Sequence, residues 1–227
     1  MKTCILSPLF GPVSATKAAS SLDEGEAHLW LLPLDLPEDR RDWMEEVMSA
    51  TEVARADRFV YPHLRHRFVA AHGQLRRILA PYAGVAPEAL NFGSGEKGKP
   101  YLTTPAPAFN LSHSADWGLL GIARAPTIGV DIERISPSRD LEGIARSVFA
   151  PDEQNLLGTL PEPEKTNAFF ACWSRKEAVI KADGRGLGMG LDTFVVTMRD
   201  GDPPAVRFHP GAVAETAPRP PTATRRP

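Results

Sequence analysis

The stretch IGVDIERI, residues 128–135, read together with FFACWSRKEAVIKADGRGL, residues 169–187, decides the fold. In the first, Ile128, Val130 and Ile132 alternate with Gly129, Asp131 and Glu133, the period of a strand with one apolar and one polar face. Asp131 and Glu133 are therefore expected on the same side, about 6.5–7 Å apart at Cα. They repel each other unless a positive charge lies between them. In the second stretch a helical period sets in, and Phe170, Ser174, Glu177 and Lys181 form one stripe. A helix packed beside that strand would bring Asp131, Glu133 and Glu177 together, a set of hard oxygen donors suited to Mg²⁺ or Mn²⁺ shared with a substrate's phosphates. No His or Cys accompanies them, which disfavours zinc. The competing reading is an ordinary i,i+4 Glu–Lys pair beside a solvated strand face.

A chain of 227 residues can form one domain or two small lobes. Its 42% hydrophobic and 24% charged residues are ordinary for a soluble globular protein, and a net charge of −2 argues against nucleic acid as a partner. Cys4 and Cys172 lie far apart without neighbouring ligands, so no disulfide framework or metal knuckle is implied. The apolar start, MKTCILSPLFGPV, is interrupted by Pro8, Gly11 and Pro12, and no segment reaches the length of a membrane span. No membrane partner and a cytoplasmic location are expected.

Residues 1–26, rich in Ala, Ser and Gly, are expected to be flexible. AHLWLLPL, residues 27–34, reads as a buried strand stopped by Pro33; Ser49 can cap a helix through Ala56, and Arg65–Leu79 reads as a longer helix ended by Pro81 and Gly84. This region is dense in arginine, from Arg55 to Arg77, and such clusters hold phosphate by forked hydrogen bonds, although solvated helix arginines are the commoner case. Residues 91–107 form a turn-rich connection in which Lys99 lies on a sharply bent backbone before Tyr101. FNLSHS then gives a strand at 109–111, with Ser112, His113 and Ser114 at a turn before a second strand, 117–123. Short hydroxyls and an imidazole there can donate to phosphate oxygens; adjacent strand residues face opposite ways, so Ser112 and His113 cannot form a nucleophile–base dyad directly. Helices are expected over 138–149, from Pro151, and from about Glu164 to Gly184, with a last strand at 191–198 and a disordered proline-rich tail at 203–227.

The ordered series GKPYL, FNLSHS, IGVDIE and WSRKEAVIKADGRGL resembles the 4'-phosphopantetheinyl transferases, in particular the larger pseudo-dimeric class that primes carrier proteins of fatty-acid, polyketide and nonribosomal-peptide synthases. The resemblance implies an α+β fold of two similar lobes related by a pseudo-twofold, with coenzyme A in the cleft between them. On that basis the chain divides into a flexible segment 1–26, an N-terminal lobe 27–125, a C-terminal lobe 126–202 carrying the metal site, and a tail 203–227. It also implies Mg²⁺-dependent transfer of the phosphopantetheine arm of coenzyme A to a serine of an acyl or peptidyl carrier protein, releasing 3',5'-ADP, by a monomer. Asp131, Glu133 and Glu177 match the family's metal and catalytic carboxylates, and Lys181 the lysine near the bridging phosphates. Arg67, Lys99, Ser112, His113 and Lys176 match positions that bind the coenzyme or belong to its motifs. One departure stands out: relatives continue past residue 198 with further strands, where this chain is proline-rich, so an uncovered sheet edge is expected there. A non-catalytic relative that holds coenzyme A or a carrier protein, and a pyrophosphatase in which water replaces the serine, are the alternatives.

Overall fold

Period-2 alternation in three stretches builds the main sheet, seen in a computed structural model that describes residues 2–6, 22–104, 106–136, 140–199 and 201–209. In chain order the elements are β1 (Lys2–Leu6), β2 (Glu26–Pro33), α1 (Glu38–Glu45), α2 (Ala50–Ala56), α3 (Pro62–Ala83), β3 (Phe92–Ser94), β4 (Pro100–Leu102), β5 (Ala108–Ser114), β6 (Trp117–Ala123), α4 (Leu141–Val148), α5 (Pro151–Thr159), α6 (Glu164–Asp183), β7 (Phe194–Val196) and β8 (Val206–Phe208). The fold is α+β. Among the described residues no helix is long and apolar enough to cross a membrane.

The chain divides into two compact units, residues 1–134 with 177–184, and residues 135–176 with 185–227. In the first unit the sheet runs β1-β2-β6-β5, with β1 parallel to β2 and the other pairs antiparallel. One face, carrying Trp30, Leu32, Phe109, Leu120 and Ile122, is buried with Leu75, Ile78 and Leu79 of α3. The opposite face carries Ala27 and Ala123, and Ile128 and Val130 pack on it. Gly121 makes this approach feasible, since a Cβ there would fall 3.0 Å from Ile128 Cδ1 and closer still to Val130 Cγ1. α2 opens on a capping box between Ser49 and Glu52. α3 runs through Pro81, whose missing N–H costs only one bond this near the end, and stops at Gly84, φ +68°.

Several expectations are corrected. The segment 128–133 is not a strand of any sheet. Side chains of β5 replace a backbone ladder: Asn110 Oδ1 accepts from Val130 N at 2.8 Å, and Ser114 Oγ from Arg134 N at 3.1 Å. Alternation marked its buried and polar sides but could not reveal who bonds its backbone. The turn expected at Ser112–Ser114 lies at Ala115–Asp116 instead, with Ala115 at φ 53°, and the three residues belong to β5. The connection 91–107 contains the β3–β4 hairpin. Within 1–26, β1 pairs with β2 and Leu22 is buried.

In the second unit, α4, α5 and the first thirteen residues of α6 surround Phe149, Leu157, Phe169, Cys172 and Phe194. Of the expected strand 191–198 only 194–196 is strand, because 191–193 forms a 3₁₀ turn. The uncovered edge expected there does not arise on one side: β8 pairs with β7, and Thr197 Oγ1 donates to Pro203 O and accepts from Ala205 N, both at 2.9 Å. Part of the expected tail is therefore ordered; residues 210–227 lie outside the described residues.

Candidate active site

The site grows from the polar face of β5. Residues two apart on a strand share a face, so Asn110, Ser112 and Ser114 meet the segment 130–134 in register. Ser112 Oγ donates to Asp131 Oδ1 at 2.8 Å, and Ser114 Oγ donates to Glu133 Oε2 at 2.9 Å. Asp131 and Glu133 are thus reached from one strand face, as their spacing demanded. The last part of α6 closes over the segment at Gly129, where the backbones come so near that a Cβ would fall 2.9 Å from Ala182 Cα and nearer still to Ala178 O and Ala182 N. That contact sets Glu177 and Lys181 beside the two carboxylates. Lys181 Nζ donates to Asp131 Oδ1 at 2.5 Å and to Ser112 Oγ at 2.9 Å.

Charges follow from this crowding. Burial raises the Glu177 carboxyl above its ordinary value; Lys181 opposes the rise, and Asp131 and then Glu133 add to it by like-charge repulsion. Burial lowers His113, Lys181 and His72 lower it further, and a backbone hydrogen bond opposes them. The Asp131 side chain is only 4% exposed, and its Oδ2 is buried without a hydrogen-bond partner among the described residues.

A family model described as the 4'-phosphopantetheinyl transferase superfamily matches residues 127–218, beginning at the segment that carries Asp131. The chain is 38% identical over 189 residues to the 4'-phosphopantetheinyl transferase HetI of Nostoc sp., covering 82% of this chain and 79% of that one. The chain belongs to the 4'-phosphopantetheinyl transferase superfamily. It is also 34% identical to the 4'-phosphopantetheinyl transferase psf-1 of Bacillus pumilus, over 75% of this chain and 73% of that one. To the 4'-phosphopantetheinyl transferase Sfp of Bacillus subtilis it is 32% identical, over 73% and 72%. It is accordingly an enzyme of the phosphopantetheinyl transferase class.

The site residues inferred from the resemblance to this family separate into groups. Asp131, Glu133, Glu177, Lys181, Ser112 and His113 lie in one neighbourhood of the first unit. Among the described residues no three His, Cys, Asp or Glu side chains form a ready-made metal cage. The donors nevertheless fit a hard divalent cation: Asp131 Oδ2 is an orphaned buried oxygen, a group that demands a cation or donor, and Glu177 and Glu133 supply further oxygens in electrostatic range. Arg67 is engaged elsewhere, in a forked pair with Asp35 at 2.8 and 2.9 Å.

Lys176 is a correction. It is fully buried in the second unit, paired with Glu153 at 2.7 Å and donating to the carbonyls of Leu191 and Phe194, so it cannot reach a coenzyme. Its motif position had suggested binding; its i−4 neighbour Cys172 and its helix face are core. Lys99 also spends its donors on protein, giving to Thr127 Oγ1 at 2.7 Å and to Ile128 O and Ala182 O at 3.1 Å each. Ser114 was already singled out beside Ser112 and His113, whereas Asn110, Thr127 and Gly129 were not. Asn110 was legible at i−2 from Ser112; the other two depend on a contact between segments 50 residues apart or more.

Proposed function

We propose that this enzyme transfers the 4'-phosphopantetheine arm of coenzyme A to a serine hydroxyl of an acyl or peptidyl carrier protein, releasing 3',5'-ADP. Asp131, Glu133 and Glu177 would hold Mg²⁺, with Mn²⁺ as substitute. When bound, such an ion screens the charge of the pyrophosphate against the incoming oxygen. The observation that carries this reading is the buried, unpartnered Asp131 Oδ2 beside the raised Glu177 carboxyl and the Lys181 ammonium.

The chain's own residues divide the work. Glu177, directly or through a water held by the carboxylates, takes the proton of the carrier serine as its oxygen bonds to phosphorus. The bridging P–O bond breaks, its electron pair leaving on the nucleotide, and Lys181 neutralises that charge. The imidazole of His113 donates to a phosphate oxygen, Ser112 turns its one hydroxyl hydrogen from Asp131 to another, and Arg67 exchanges Asp35 for the nucleotide end of the coenzyme. The two-lobed pseudo-twofold arrangement, a monomeric state and a cytoplasmic location belong to the same proposal.

Incubation with coenzyme A, Mg²⁺ and an apo carrier protein tests it. The carrier should gain the mass of phosphopantetheine, and 3',5'-ADP should appear in equal amount. Coenzyme A bound without any gain in carrier mass would refute transfer, and ADP released without carrier would assign hydrolysis instead.

A further inference from the structure

Lys99 was expected on a coenzyme phosphate, yet all three of its ammonium hydrogens have acceptors within the protein. It reaches out of the β3–β4 hairpin loop to Thr127 Oγ1, Ile128 O and Ala182 O. Thr127 Oγ1 in turn donates to Ala182 O at 2.6 Å. Ala182 is next to last in α6, so its carbonyl is among those a helix leaves without an internal partner. A cation at that end also meets the negative pole of the helix. Ile128 lies three residues before Asp131, and Ala182 directly follows Lys181.

We infer that Lys99 is a positioning residue: a clasp joining Thr127 and Ile128 to the end of α6, which sets Asp131 and Lys181 at their working separation. It acts through those two side chains and touches no substrate. Gly129 lets the two backbones approach, and the ammonium holds them there. A misplacement of about 1 Å at a reacting centre costs on the order of 10²-fold in rate. The inference rests on the transferase reading above.

Steady-state kinetics of carrier modification on Lys99→Met, Thr127→Val and the double variant test it. For Lys99→Met, kcat should fall about 10²-fold while KM for coenzyme A stays within about twofold. Thr127→Val should act in the same direction with a smaller loss, and the double variant should lose no more than Lys99→Met alone, because both changes open one clasp. Amide exchange at Gly184 N–H, which bonds Ile180 O in the last turn of α6, should quicken in Lys99→Met. A tenfold rise in KM for coenzyme A with kcat preserved would overturn the inference and make Lys99 a coenzyme ligand. Unchanged kinetics or unchanged exchange would overturn it too. A wild-type enzyme without turnover would instead defeat the transferase reading, and the exchange measurement would still decide the clasp.

Discussion

Gly129→Ala is the sharpest probe of the site's architecture. The added methyl would sit 2.9 Å from Ala182 Cα and within contact of Ala178 O and Ala182 N, all three backbone atoms of one helix. No rotamer can relieve a clash with backbone. Ordinary carbon contacts lie near 3.5–4.0 Å, so the end of α6 must withdraw from the segment by about 1 Å. Overpacking of this kind costs about 1–3 kcal/mol of stability. The larger effect falls on rate, because withdrawal carries Glu177 and Lys181 away from Asp131, and a loss of about 10²-fold is expected. Initial rates of carrier modification, followed by intact mass, measure the rate, and urea unfolding measures the stability. Gly158→Ala is the control: nothing lies within 4 Å of a Cβ at that α5 position, so it should be neutral or stabilising by up to ~1 kcal/mol. A Gly129→Ala enzyme within threefold of wild-type rate and equal in stability would refute the close-packed arrangement of segment and helix.

Other predictions concern charge. Burial raises Glu52, but hydrogen bonds from His72 and from the backbone and side chain of Ser49, with the charge of Arg76, outweigh it and hold it at about 2, against an ordinary 4.5. Its folded value is depressed, so its contribution is complete above pH 4.5 and is lost as pH falls toward 2. The difference is worth at most ~3 kcal/mol, nearer ~2 kcal/mol with partial solvent access. Glu52→Gln should be less stable than wild type by about that much in urea at pH 7, and the gap should narrow steadily from pH 4.5 to 2; a pH-independent gap would count against it. If Asp131 holds the metal as proposed, Asp131→Asn should lower transfer by at least ~100-fold, since outer partners of metal-binding groups alone are worth about 10–100-fold, with the circular dichroism spectrum retained. Lys176→Met strands the buried Glu153 carboxylate and should destabilise by about 3–5 kcal/mol in urea unfolding, and adding Glu153→Leu should restore part of it.

Most helices were legible because their signals are local. Ser49 before Glu52, Pro151 at the first turn of α5 and Gly184 after Asp183 each act within one turn of the chain. The segment 128–133 was misread for the opposite reason. Its alternation is real, and Ile128 and Val130 are buried, yet a strand needs a neighbour's backbone, and here Asn110 and Ser114 side chains take that part. In the site, residue identity carried the carboxylates and Lys181. Burial separated the two motif lysines: Lys176 and Lys99 were both assigned to the coenzyme from their motif positions, and only the packing around each ammonium distinguishes a core ion pair from a partly buried clasp.

The β3–β4 hairpin has a bearing on how this chain can change over time. Its turn lies in exposed residues, where insertions are usually harmless. Pairing of Ser94 with Pro100, closed by Gly95 N on Lys99 O, fixes how far the lysine can extend. One residue gained or lost there would pull the ammonium off acceptors 28 and 83 positions away in the sequence. A surface turn that carries no carboxylate is thereby bound to a constant length.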